Sequence, residues 1–286
     1  MIVLTGATGA LNGATAQHLL DRLPAEELVV VARDVTRAAH FADRGVRVRP
    51  GDYAHPESLP DAFAGADQLL LVSSNDQGVD PVELHRAAID AAVTAGVGRI
   101  LYTSHQGAAA ESPFAPARTH AATEELLAAA GIPWTALRNG FYAHSLQFLL
   151  GPWQQTGVIA VPGEGPVSWT AREDAAQGAA AVLTAPTPYE GPVTLTATEA
   201  PTFERIAAIA SELVDRRIDL RVVDPEEWIA AAIQAGQPEG RVRFMLGVYQ
   251  AAERGLFAGT DPTLRMLLGR EPRTVRSQLE ELLARS

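Results

Sequence analysis

Lysine is absent from all 286 residues, so the 23 side chains counted as lysine plus arginine are all arginine. That removes the P-loop lysine, the Schiff-base nucleophile and the Tyr-x-x-x-Lys proton relay. The tyrosines agree, because Gln106 and Leu146 stand four residues after Tyr102 and Tyr142. Cysteine is absent too, which excludes thiol nucleophiles, disulfides and zinc-thiolate sites while leaving the compartment undecided. Positive charge is scarce: the formal net charge is −11, and no basic cluster exceeds Arg216-Arg217. Nucleic acid and anionic membrane are therefore not expected partners. The apolar N-terminal run is far too short for a signal or a membrane span, so the cytoplasm is the expected location. What remains is a non-metal, non-covalent chemistry in an acidic chain whose 47% apolar content can fill a substantial core.

The chain opens on a glycine turn, Thr5-Gly6-Ala7-Thr8-Gly9-Ala10-Leu11-Asn12-Gly13, set between an apolar run at 2–4 and a helical pattern at about 13–23. A second apolar run at 28–32 completes a βαβ unit, the arrangement that lays a dinucleotide pyrophosphate across a helix N-terminus. Gly6 and Gly9 allow a sharp turn and a close backbone approach to phosphate. Asn12 occupies the place of the third glycine and Gly13 follows it, which predicts a local adjustment of helix-to-strand packing. At the end of the second strand stands Arg33, where a carboxylate would suit the ribose hydroxyl of NAD and a guanidinium suits the 2′-phosphate of NADP. Asp34 beside it is the competing residue, able to turn inward in its place.

Short apolar runs at 2–4, 28–32, 46–50, 68–72, 99–103 and 135–138 alternate with helical patterns at 58–64, 82–95 and 117–130, as a doubly wound parallel sheet requires. The pattern changes after Arg138, where Gly151-Pro152, the 162–166 segment and Pro186-Thr187-Pro188 break the chain into shorter pieces. The expected organisation is an α/β dinucleotide-binding domain over 1–150 and a smaller, mainly helical lobe over 151–286, with segments near 167–197 returning to the main sheet. Strands are expected at 193–197 and 218–223, Thr202 and Asp224 are helix caps, and 273–284 closes the chain as a helix.

Ligands of such sheets bind beyond the carboxyl ends of the strands. Four ends are polar: Asp52-Tyr53, Ser73-Ser74-Asn75-Asp76, Ser104-His105-Gln106 and Asn139-Gly140-Phe141-Tyr142. Asp52 suits the adenine side, Ser73, Ser74 and Asn75 the nicotinamide-side ribose, and Phe141 or Tyr142 a flat ring; both aromatics could equally fill the core. His120, in the helix after the fifth strand, would donate a proton at neutral pH if its pKa stayed near ~6.5. His85, His105 and His144 have weaker claims, and no spacing among them suggests a metal site.

These residues resemble the NmrA-like group of atypical short-chain dehydrogenases, in particular its bacterial NADPH:quinone oxidoreductase branch. The resemblance runs over nearly the whole chain and rests on Thr5-Gly6-Ala7-Thr8-Gly9, Val31-Ala32-Arg33, Gly51-Asp52-Tyr53, Leu71-Val72-Ser73-Ser74, Tyr102-Thr103-Ser104, the segment from His120 to Glu124, and Leu137-Arg138-Asn139-Gly140-Phe141-Tyr142. It implies a Rossmann-type domain with NADP(H) held by Gly6, Thr8, Gly9, Ala10 and Leu11, Arg33 on the 2′-phosphate, and Ser74, Asn139, Gly140, Phe141 and Tyr142 along the cofactor. Ser104 joins them from its strand end, and Arg172 matches a family position near the cofactor. His120 stands where the wider group often carries a lysine, so His120 and Tyr142 are the catalytic candidates. The expected reaction is hydride transfer from NADPH to a small planar substrate such as a quinone. A dinucleotide-sensing regulator and a biosynthetic ketone or imine reductase stay open on the same scaffold, as does a homodimer.

Overall fold

In a computed structural model describing residues 1–74, 76 and 78–284, nine strands form two sheets. They are β1 (Ile2–Thr5), β2 (Leu28–Ala32), β3 (Arg47–Pro50), β4 (Gln68–Leu71), β5 (Arg99–His105), β6 (Trp134–Asn139), β7 (Val158–Val161), β8 (Gly191–Leu195) and β9 (Asp219–Val222). The main sheet runs in the order β3-β2-β1-β4-β5-β6-β8 and is parallel throughout. β1 lies at its switch point, with Ile2 opposite Leu28 on one side and Gln68 on the other. The strand order reverses there, which opens a crevice beyond the strand ends.

The strands read as continuous apolar runs because both faces are covered. Alternate residues serve opposite cores. Leu4, Val30, Leu70, Leu101 and Leu137 pack with Leu19 and Ala180 from the helices Ala10–Leu20 and Arg172–Leu183. Val3, Val29, Leu69, Ile100 and Tyr102 pack with Phe63, Ala88 and Leu127 from the helices on the other face. Each fully buried Val or Leu contributes about 1.5–3 kcal/mol.

The third core belongs to the later part of the chain and is rich in rings: Phe141, Trp153, Trp169, Phe203, Tyr249 and Phe257. Its short parallel pair β7-β9 stands apart from the main sheet. The chain re-enters the main sheet at β8, beside β6. The buried carboxylate of Asp174 accepts from Arg270 Nη2 at 2.7 Å and from the Arg273 N–H at 2.6 Å, tying the C-terminal segment to the helix Arg172–Leu183.

Two of the departures from the sequence expectation have a plain physical cause. The first helix begins at Ala10, three residues early, because Gly9 takes an extended N-cap conformation and the helix starts directly from the glycine turn. β7 was not expected: four residues between a glycine and a proline-rich segment carry too weak an alternation to read without their partner β9.

Candidate active site

A cleft of about 410 Å³ opens at the carboxyl ends of β1, β2 and β4. Of the residues proposed from sequence, Gly6, Thr8, Gly9, Ala10, Leu11, Arg33, Asp52, Ser73, Ser74 and Arg172 line it. Ser104, His120, Asn139, Gly140, Phe141 and Tyr142 are not among its lining residues, and Asn75 lies outside the described residues.

Backbone makes the first wall of this cleft. Gly6 has φ +67°, and a Cβ there would lie 2.5 Å from Val72 Cγ1, so the turn requires glycine. The N-cap Gly9 offers no side-chain oxygen to the first helical turn. The first backbone bond of the helix joins Gly13 N–H to Gly9 C=O, leaving the N–H groups of Ala10, Leu11 and Asn12 without an intrahelical acceptor. Unpaired donors at the positive end of a helix dipole suit a pyrophosphate, and the glycine cradle leaves room for one. Asn12 resolves the displaced glycine. Its Nδ2 donates to Thr5 C=O at 2.8 Å, pinning helix to strand, while its buried Oδ1 has no partner. Gly13 supplies the close approach instead, since a Cβ there would stand 2.8 Å from Ala7 C=O.

Beneath the loop, Thr5 Oγ1 lies 2.6 Å from Tyr53 Oη and accepts from Val72 N–H at 2.8 Å, while Tyr53 Oη donates to Val72 C=O at 3.1 Å. This knot joins β1, β4 and the segment after β3, and burial raises the Tyr53 pKa so that it stays a neutral donor. Asp52 is locally engaged, accepting from Ala54 N–H at 3.0 Å and facing His55 Nδ1 at 3.3 Å.

At the outer end Arg33 Nη1 sits 3.0 Å from both carboxylate oxygens of Asp76. Asp34, the competing residue, turns away: its Oδ1 accepts from Thr36 N–H at 3.0 Å and Thr36 Oγ1 at 2.6 Å, and those bonds hold its pKa below the usual carboxylate value. Ser73 and Ser74 are fixed by their backbone, Ser73 N–H donating to Thr103 Oγ1 and Ser74 N–H to His85 Nε2 at 2.7 Å. That acceptor role leaves the proton of His85 on Nδ1, which donates to Thr123 Oγ1 at 2.8 Å. Burial pushes the His85 pKa down to about 4, keeping the ring neutral.

The ends of β5 and β6 are built differently. Ser104 Oγ donates to Glu124 Oε1 at 2.6 Å, and Arg138 grips the same carboxylate through Nε at 3.0 Å and Nη2 at 2.5 Å. Ser104 is thereby spent in a buried ion-pair network. Phe141 joins the aromatic core, against Trp169, Phe257 and Phe114, so its ring fills space. Gly140 packs so tightly on the 168–170 segment that a Cβ would overlap Thr170 Oγ1. Asn139 Nδ2 donates to Tyr142 Oη at 3.4 Å, and its buried Oδ1 has no partner. Tyr142 lies under the Arg172 guanidinium, 5.7 Å from the ring centroid, and burial pushes its pKa up to about 12. Arg172 also donates to His144, whose pKa burial and that guanidinium push down to about 4.

His120 Nδ1 lies 2.9 Å from Tyr102 Oη, and its ring stacks on His105 with centroids 6.1 Å apart. Burial first, and then His105 and His85, hold the His120 pKa well below the ordinary imidazole value. The expectation of a near-neutral pKa is thus corrected: His120 is uncharged at pH 7. Burial raises the Tyr102 pKa as well, so both partners of this bond are neutral at pH 7. Sequence reasoning missed the positioning roles of Tyr53, His85 and Glu124. Only the buried side of each strand end could have signalled them, and a single sequence does not label that side.

The NmrA-like family model matches residues 1–258. The chain is 32% identical to quinone oxidoreductase 2 of Escherichia coli K12, covering 99% of this chain and 98% of that protein. Among solved structures, an E. coli NADPH-dependent quinone oxidoreductase complexed with NADPH superposes with a TM-score of 0.90 at 30% identity, over 99% of this chain and 100% of the other. The Citrobacter sp. triphenylmethane reductase complexed with NADP(H) gives 0.88 at 33% identity, over 98% and 99% of the two chains. Both the family match and these full-length likenesses cover the glycine turn, the cleft and the β5–β6 ends together, and the chain belongs to the NmrA-like family.

Proposed function

We propose that this chain is an NADPH-dependent oxidoreductase that passes a hydride to a quinone or a similarly planar acceptor. The observation that carries the reading is one cleft holding both an uncapped helix N-terminus and Arg33, the two features a 2′-phosphorylated dinucleotide needs. The full-length relatives described as using NADPH or NADP(H) support it, and so do the names of quinone and dye reductases among them.

In this reading the N–H groups of Ala10, Leu11 and Asn12 take the pyrophosphate, with Gly6, Thr8 and Gly9 shaping the turn. Arg33 takes the 2′-phosphate and Asp52 flanks the adenine. Ser73 and Ser74, held by Thr103 and His85, flank the nicotinamide-side ribose, and Asn139, Gly140, Tyr142 and Arg172 border the nicotinamide end. The bound cofactor supplies the hydride, and the protein supplies orientation and electrostatics. Tyr142 and Tyr102 keep their protons, their pKa values being raised by burial, so neither serves as a base at neutral pH. His120, neutral and with its Nδ1 occupied by Tyr102, offers Nε2–H to a developing oxyanion, and solvent completes the protonation. A quinone suits so weak an acid, because it accepts hydride more readily than an ordinary ketone.

The test is oxidation of NADPH followed at its near-ultraviolet absorbance, with and without a simple quinone. Acceptor-dependent oxidation is expected. Tight NADPH binding with no turnover across quinones and azo or triphenylmethane dyes would overturn the catalytic reading in favour of a dinucleotide-sensing regulator.

A further inference from the structure

We infer that Asp76 sets the margin by which this site prefers a 2′-phosphorylated dinucleotide, because it competes with that phosphate for Arg33. The inference rests on the reading of Arg33 given above. Among the described residues Arg33 Nη1 is the one nitrogen engaged, 3.0 Å from each oxygen of the Asp76 carboxylate. Both residues line the cleft. The Asp76 N–H donates to Ser74 Oγ at 3.2 Å, and the Ser74 N–H in turn donates to the fully buried His85. The carboxylate is therefore presented to Arg33 from an anchored backbone.

The strength of the pair decides what it does. The Arg33 side chain is 62% exposed and that of Asp76 32%, and ion pairs screened by water to that degree are worth only a few-fold in an equilibrium. A phosphate carrying about −1.5 to −2 charges can displace one carboxylate from a guanidinium, so Asp76 attenuates binding and does not abolish it. If the phosphate used the remaining guanidinium N–H groups instead, it would stand beside the same carboxylate and meet like-charge repulsion. Either geometry weakens NADPH and spares NADH, which brings a neutral hydroxyl to that place. Asp34, the other nearby carboxylate, is turned into its own cap with Thr36, leaving Asp76 as the acid that faces Arg33 among the described residues.

The experiment compares the unmodified protein, Asp76→Asn and Arg33→Ala by calorimetry, with NADPH, NADH, 2′,5′-ADP and 5′-ADP as titrants. Asparagine keeps the shape and the backbone bond to Ser74 while removing the charge. Asp76→Asn is expected to tighten NADPH and 2′,5′-ADP by about three- to tenfold, the range of a screened ion pair with added repulsion, and to leave NADH and 5′-ADP unchanged. The gain should shrink in high salt. Unchanged or weaker NADPH and 2′,5′-ADP binding by a well-folded Asp76→Asn overturns the inference, and so does a selective loss of NADH, which would make Asp76 a direct ribose ligand. Failure of the parent reading looks different: Arg33→Ala would then leave the ratio of NADPH to NADH affinities where it was, whereas failure of the inference alone leaves the Arg33→Ala effect intact. Equal melting temperatures of the three proteins exclude misfolding as the cause.

Discussion

The two halves of the strand-end edge solve the same problem with different materials. Over β1 and β2 the wall is backbone, with glycines, a helix start lacking a side-chain cap and one exposed arginine. Over β5 and β6 it is side chain, with Ser104, Glu124 and Arg138 locked together, and His105 and His120 stacked among phenyl rings. A backbone wall fits a cofactor whose phosphates are met by donors in fixed directions. A wall of buried side chains bonded mostly to one another presents only what its packing leaves over, here the His120 ring edge beside the unpartnered Asn139 Oδ1 and His105 Nε2. The first half is therefore sensitive to added atoms, the second to altered charge.

Acid should expose that difference most strongly. His85 and His105 are both held near a pKa of about 4 by burial, against ~6.5 for an unfolded histidine. With the folded values depressed, the unfolded chain binds the extra protons between those limits, so stability is complete above pH ~6.5 and falls as pH drops toward 4. Each such histidine contributes about 1.4 kcal/mol per pH unit in that window. Denaturant unfolding at pH 7 and pH 5 measures it, and His85→Gln should flatten the slope. A midpoint unchanged between those pH values would mean that the β5 side is solvated, and the contrast would collapse.

The backbone half is tested by adding atoms. Gly9→Val places two methyl groups at the helix start, where Cβ alone would already lie 3.2 Å from Gly6 C=O. Cofactor affinity should drop by about 10²-fold, the combined effect of overpacking and lost backbone donors, with melting temperature nearly unchanged. Unaltered NADPH affinity in a folded Gly9→Val protein would show that the turn is not the cradle.

How much of this was legible in the sequence follows the same division. The glycine turn, the alternation of strands and helices over β1 to β6 and Arg33 depend on local signals, and the doubly wound parallel sheet they imply is the one observed. The residues of the β5–β6 ends were picked out correctly as polar strand termini, yet their side chains turned out to be engaged with partners far along the chain. Ser104 meets Glu124 twenty residues later, and Gly140 meets Thr170. Such pairings form only when packing closes, and composition carries no trace of them. His120 is the clearest case: position named it, while its charge state comes from burial first and then from His105 and His85, none of which a motif identifies.

Charge removal at the outer edge comes next in size. Arg33→Ala should erase a preference for NADPH over NADH of about tenfold, since a charge-assisted bond at an exposed site is worth roughly 1.5 kcal/mol. Equal affinities in the unmodified protein would sink the assignment of Arg33, unless Asp76→Asn restores the preference.

An effect no larger is expected at His120. A histidinium acid with an ordinary pKa would be lost above pH ~6.5 and could be worth 10² or more in rate. A neutral imidazole that only donates Nε2–H to a developing oxyanion is worth about tenfold, the scale of one ordinary hydrogen bond. His120→Ala should therefore lower kcat about tenfold with NADPH affinity unchanged, and kcat of the unmodified enzyme should be flat from pH 6 to 8. Tyr102→Phe should reproduce part of the loss, because it frees Nδ1 and releases the tautomer. The measurement is single-turnover hydride transfer to several quinones, so that product release does not mask chemistry. A kcat falling through an apparent pKa near 6.5, and abolished as a feature by His120→Ala, would restore the charged acid and contradict the burial that separates this half of the edge from the other.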